Sequence, residues 1–254
     1  MDTDSGPQKT PGILLTNDDG VDSPGVHLLA EELLEVARVT MVVPLEEKSG
    51  ASHSLTLGTA IEYEKLDLPA GISGYAARGT PVDCIHVARD GLKEPFDLVV
   101  SGINAGANVG LNIHYSGTVA AALEAAFFNC SGLAVSIATR KPENPASAAF
   151  YAKKIAGLML AQPEPLVLNL NVPDLPLEKI RGIRLTRTSL TEEETRLAIV
   201  EKCLQKDDEC DDEEFVLDSR AVAAGFVSIT ALQLDLTDRK RLETLREWEW
   251  PEIG

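Results

Sequence analysis

Residues 12–44 read as strand, loop, helix and strand in that order, and this pattern limits the fold more firmly than any other stretch. Gly12-Ile13-Leu14-Leu15-Thr16 is a short apolar run closed by the turn formers Asn17-Asp18-Asp19-Gly20. An apolar run of this length between turn residues is a buried strand. Ser23-Pro24-Gly25 opens a helix, with Ser at the N-cap and Pro at the first helical position. Val26, Leu29, Ala30, Leu33, Leu34 and Ala37 then recur at helical spacing, and Val39-Thr40-Met41-Val42-Val43 is a second strand closed by Pro44. A strand–helix–strand unit of this length implies parallel strands.

The theme repeats. Asp97-Leu98-Val99-Val100-Ser101 runs into the Gly-rich loop Gly102–Gly110, a small-residue helix spans Gly117 to Phe128, and Leu133-Ala134-Val135-Ser136-Ile137 is the next strand. Further on, Ala146 to Leu160 reads as an amphipathic helix, Leu166 to Val172 as a strand and Gly225 to Thr230 as a late strand. The expected fold is therefore α/β and Rossmann-like, a mainly parallel sheet flanked by helices with a smaller C-terminal extension. No Gly-x-Gly-x-x-Gly fingerprint follows the first strand, which disfavours a dinucleotide. Residues 1–11 read as a flexible tail and 12–254 as one domain, with a divergent acidic segment at about 189–218.

Composition narrows the function classes. A net charge of −17 repels nucleic-acid backbones and anionic bilayers, so neither duplex nucleic acid nor a membrane is an expected partner. The chain shows no basic, apolar leader and no run near the ~18 apolar residues of a membrane span, so the expected location is the cytoplasm. Cys84 and Cys130 lie in apolar surroundings and read as buried thiols. Cys203 and Cys210 flank an acidic loop without zinc-ligand spacing.

The chemistry concentrates at strand ends, where open α/β sheets bind ligands. Asp18 and Asp19 are adjacent carboxylates that repel when both are ionised, and a hard divalent cation is the simplest remedy. As bare turn formers, the same four residues would fit a polar loop equally well. At the small-residue helix, Tyr115-Ser116-Gly117-Thr118 brings two hydroxyls and free backbone N–H groups to the positive end of the dipole. That is either an anion site or an ordinary Ser/Thr cap. His53 and His114 lie beside these loops, and His27 and His86 sit in helix-like or strand-like patterns and read as structural.

Six motifs in order carry a family resemblance. They are Asn17-Asp18-Asp19-Gly20, Ser23-Pro24-Gly25, Ser49-Gly50-Ala51-Ser52-x-Ser54-Leu55-Thr56, Gly79-Thr80-Pro81-x-Asp83-Cys84, Ser101-Gly102-Ile103-Asn104-Ala105-Gly106-x-Asn108-x-Gly110 and Tyr115-Ser116-Gly117-Thr118-Val119-Ala120-Ala121. Together they resemble the stationary-phase survival protein SurE family of metal-dependent 5′-nucleotidases. The resemblance implies one divalent cation per subunit, Mg²⁺ or Mn²⁺, on Asp18, Asp19, Ser49 and Asn104, with Asp18 and Asp19 catalytic. It implies phosphate binding by Asn108, Ser116, Gly117 and Thr118, a nucleoside monophosphate substrate, and a homodimer or homotetramer.

Two enzyme readings and one binding reading compete. A haloacid-dehalogenase-type phosphatase needs a second Asp two positions after its nucleophile, and Gly20 and Val21 stand there instead. A broad phosphomonoesterase and a nucleotide-binding module without turnover share the motif set, and phosphate release separates them.

Overall fold

The computed structural model describes residues 10–189, 215–248 and 250. Most of the expected N-terminal tail and the acidic segment from 190 to 214, with Cys203 and Cys210, lie outside the described residues. The first half runs β1 (Gly12–Thr16), α1 (Pro24–Leu33), β2 (Arg38–Pro44), β3 (Tyr63–Leu66), β4 (Ile72–Ala77), α2 (Pro81–His86), β5 (Leu98–Ala105) and α3 (Gly117–Phe127). The second half runs β6 (Ser131–Ile137), α4 (Pro145–Leu160), β7 (Val167–Val172), β8 (Ile183–Arg187), β9 (Val216–Leu217), α5 (Asp218–Ala223), β10 (Val227–Leu232) and α6 (Arg239–Leu245).

The strands form one sheet in the order β3-β4-β2-β1-β5-β6-β7-β10-β8-β9. From β4 to β7 every neighbouring pair is parallel, as the repeated strand–helix–strand pattern requires. β3 and β10 pair antiparallel to β4 and β7, so the sheet leaves the parallel regime toward both edges. β1 and β5 lie side by side although α1, β2, β3, β4 and α2 intervene in sequence. Chain order reverses at that point, which opens a crevice at the carboxyl ends of these two strands.

The helices divide between the two faces. Val26, Leu29 and Leu33 of α1 share an apolar cluster with Ala148, Ala152 and Ile155 of α4 and with Leu15, Met41 and Val100 of the sheet. Cys84 and Ile85 of α2 pack with Ala121 and Ala125 of α3 on the opposite face, against Leu14, Val42 and Val99. The small residues of α3 have a steric cause: a Cβ on Gly132 of β6 would run into the carbonyl of Ala122. Close approach seats α3 on β6.

The structure departs from the sequence expectation at several places. β5 continues through Gly102, Ile103 and Asn104 to Ala105, with a shift in its pairing to β6 between Ser101 and Asn104. The Gly-rich segment is thus partly strand, which places Asn104 on a paired backbone instead of a free loop. α2 is a short helix closed by a capping box between Thr80 and Asp83. β3 and β4 add an edge beyond β2. Among the described residues no helix is long and apolar enough to cross a membrane.

Candidate functional site

Asp18 and Asp19 leave the carboxyl end of β1 in the β1/β5 crevice. Gly20 turns the chain with φ +88°, a conformation that L side chains avoid, and a Cβ there would stand 3.0 Å from the Glu46 carbonyl carbon. The loop after β2 therefore lies directly on this turn, and the Lys48 N–H donates to the Asp18 carbonyl at 2.7 Å. Ser49 follows on the same loop, and its hydroxyl donates to Glu47 Oε1 at 2.6 Å.

α3 meets the pair from the other side. Thr118 Oγ1 donates to Asp18 Oδ1 at 2.6 Å, and the Thr118 N–H hydrogen-bonds to the same carboxylate. A Cβ on Gly117 would stand 3.1 Å from Asp18 Cβ and 3.3 Å from its Oδ2, so only glycine admits this approach without displacement. Ser116 is the N-cap, its hydroxyl accepting the Val119 N–H at 3.1 Å. The first turn of α3 thus serves as a cap at Ser116 and as a cradle for a carboxylate at Thr118.

β5 adds a backbone donor to the pair. The Ala105 N–H hydrogen-bonds to the Asp19 carboxylate. The neighbouring Asn104 Nδ2 donates to the Gly106 carbonyl at 2.6 Å, which commits the nitrogen and leaves Oδ1 as the free ligand atom. Asn108 stands apart: its N–H donates to Asn171 Oδ1 at 2.8 Å and its Nδ2 to Ser136 Oγ at 2.9 Å. Asn169 and Asn171 both donate to its carbonyl. These buried amides pin the loop after β5 to β6 and β7.

The electrostatics of the pair are unfavourable as they stand. Burial pushes the Asp18 carboxyl above its ordinary value, against the hydrogen bonds from Thr118, and the Glu47 charge adds to the rise. Asp19 is raised to about 6, first by burial and then by the charge of Asp18. No cation figures among the groups that set either value. Two carboxylates, a serine hydroxyl and an amide oxygen are all hard donors, and a hard divalent cation would relieve the repulsion. Among the described residues no group of three or more His, Cys, Asp or Glu side chains stands together at metal-holding geometry, so a soft cation has no competing site there.

A cluster that the sequence does not reveal lies one to two turns along α3. Glu124 accepts from His53 Nε2 at 2.7 Å and from His86 Nε2 at 2.9 Å. Burial alone would raise Glu124, but the two imidazoles outweigh it and hold the carboxyl below its ordinary value. The cluster ties the Ser49 loop to α2 and α3. His27 Nε2 contacts the Val21 carbonyl at 2.8 Å, a structural role, whereas His114 is exposed.

Residues 13–195 match the family model described as Survival protein SurE. The chain belongs to the SurE family. A relative named 5′-nucleotidase SurE, from Ectopseudomonas mendocina (strain ymp), is 42% identical over 247 residues, covering 93% of this chain and 97% of that protein. The crystal structure of the SurE protein from Aquifex aeolicus superimposes with a TM-score of 0.77 at 34% identity, covering 93% of this chain and 98% of that one. Membership of the SurE family agrees with the mostly parallel sheet and with the ordered motifs at its strand ends.

Proposed function

We propose that the chain is a 5′-nucleotidase that hydrolyses nucleoside 5′-monophosphates to nucleoside and phosphate. The cation is Mg²⁺ or Mn²⁺, one per subunit, held by Asp18, Asp19, Ser49 and Asn104. The observation that carries this reading is the Asp18–Asp19 pair in the β1/β5 crevice, each carboxyl raised by burial and neighbouring negative charge. The SurE-family nucleotidase at 42% identity supports the reaction class.

When bound, the cation supplies Lewis acidity for a phosphoryl oxygen and lowers the pKa of water. The chain's own residues hold the geometry. Thr118 fixes Asp18 from α3 and Ala105 fixes Asp19 from β5, so the two carboxylates are positioned by separate elements. Ser116, Gly117 and Thr118 meet the substrate phosphate at the α3 N-terminus, where the helix dipole favours negative charge. The Thr118 hydroxyl and N–H both donate to Asp18, so Thr118 acts on the phosphate through the carboxylate it positions and through the helix terminus. Asn108 contributes the amide hydrogen that Ser136 does not take. The same reading carries a homodimer or homotetramer in the cytoplasm.

Substrate selectivity tests the proposal. Phosphate release from adenosine monophosphate should exceed release from glycerol phosphate by about tenfold or more at equal concentration, a difference of about 1.4 kcal/mol in transition-state binding. Equal turnover would instead make the chain a general phosphomonoesterase. Nucleotide binding without phosphate release would make it a binding module.

A further inference from the structure

We propose that Glu47 is a positioning residue for the cation site, its carboxylate accepting the hydrogen bond of the Ser49 hydroxyl and so leaving the serine oxygen lone pairs for a cation at the Asp18–Asp19 pair. The inference rests on the cation reading above and assigns work to a residue outside that ligand set.

The geometry is direct. Ser49 Oγ donates to Glu47 Oε1 at 2.6 Å, within the short range of O–H···O⁻ bonds with a charged acceptor. A serine hydroxyl has one proton and two lone pairs, and as a cation ligand it must direct the proton away. Without an acceptor, the hydroxyl rotates freely and loses rotor entropy on binding. Glu47 removes that freedom. The backbone supports the arrangement, since the Lys48 N–H between the two residues donates to the Asp18 carbonyl at 2.7 Å. The loop is thereby pinned to the carboxylate turn that it serves.

Glu47 and Ser49 are both exposed, so their hydrogen bond alone adds little to the stability of the fold. The contact gains strength when the oxygen is polarised by a cation, because polarisation makes the O–H a stronger donor. Partners that orient a metal ligand in this way typically control affinity by about 10–100-fold.

The test is Mn²⁺ titration of EDTA-stripped protein by calorimetry, with melting temperature read in parallel without metal. Glu47→Ala should raise the Mn²⁺ dissociation constant by about tenfold or more and leave the metal-free melting temperature unchanged. Glu47→Gln keeps an acceptor oxygen at the same place and should stay within about threefold of wild type. In a Ser49→Ala background, adding Glu47→Ala should change the constant by less than about twofold, since the partner is gone. An unchanged constant in Glu47→Ala, or the same loss with Ser49 absent, overturns the proposal while leaving the cation site standing. A Gln variant as weak as Ala also overturns it, because the effect would then be charge alone. Wild-type protein that binds no Mn²⁺ overturns the site reading itself.

Discussion

The hydroxyl of Thr118 donates to Oδ1 of Asp18 at 2.6 Å, joining the first turn of α3 to the end of β1 across 100 residues of sequence. Asp18 is buried, so this donor offsets part of the desolvation of its carboxylate. The carboxylate pair and the N-terminus of α3 are therefore one mechanical unit. A change at Thr118 is transmitted directly to the Asp18 carboxylate.

Thr118→Val tests that coupling, because it keeps the β-branched shape and deletes the donor. Partners that orient a metal ligand control affinity by about 10–100-fold, so Mn²⁺ affinity should fall by about one to two decades. Inhibition by inorganic phosphate should weaken with it, and Thr118→Ser should restore both. A melting temperature lowered at unchanged Mn²⁺ and phosphate affinity would reduce Thr118 to a packing role.

Asp18→Asn and Asp19→Asn should each remove most of the turnover and preserve the fold. Each substitution deletes a negative ligand and at the same time relieves repulsion within the pair. Circular dichroism and phosphate release on the same preparation check the split. Near-normal turnover in both variants at saturating Mn²⁺ would remove the pair from the site.

Stability of the metal-free protein should carry the signature of Asp19, whose carboxyl is raised from 3.8 to about 6. A raised acid binds its proton more tightly in the folded chain than in the unfolded one. Its contribution is fully present below 3.8 and is lost as pH rises through about 6. Discounted for partial solvent exposure, the loss is about 1–2 kcal/mol. Asp19→Asn should flatten this part of the pH–stability curve, measured by urea denaturation with EDTA present. A parallel curve for the variant would show that Asp19 is not the group responsible.

The parallel core is legible in sequence because its strands are mainly apolar runs, as in Gly12–Thr16, buried throughout, and Arg38–Pro44, buried from Met41 onward. β3 was not legible, since Tyr63-Glu64-Lys65-Leu66 is an exposed edge strand that carries two charges and no apolar alternation. α2 hid inside the Thr80-Pro81 motif, where only the Thr80–Asp83 capping box announces a helix. The carboxylate pair and its strand-end position were readable locally. The partners of the pair were not, because Thr118, Ala105 and Lys48 reach it through tertiary packing. Glu124 shows the same limit: its contacts with His53 and His86 join residues 71 and 38 positions apart, a spacing no motif encodes.

Phosphate release from adenosine monophosphate, measured after exhaustive EDTA dialysis and again after adding Mn²⁺ or Mg²⁺, tests the central claim most directly. The donor set is wholly oxygen, so chelation should abolish release, either hard cation should restore it, and zinc should not be required. Restoration should be lost in Asp19→Asn. Full release after chelation, or equal restoration in Asp19→Asn, would contradict a cation held by the Asp18–Asp19 pair.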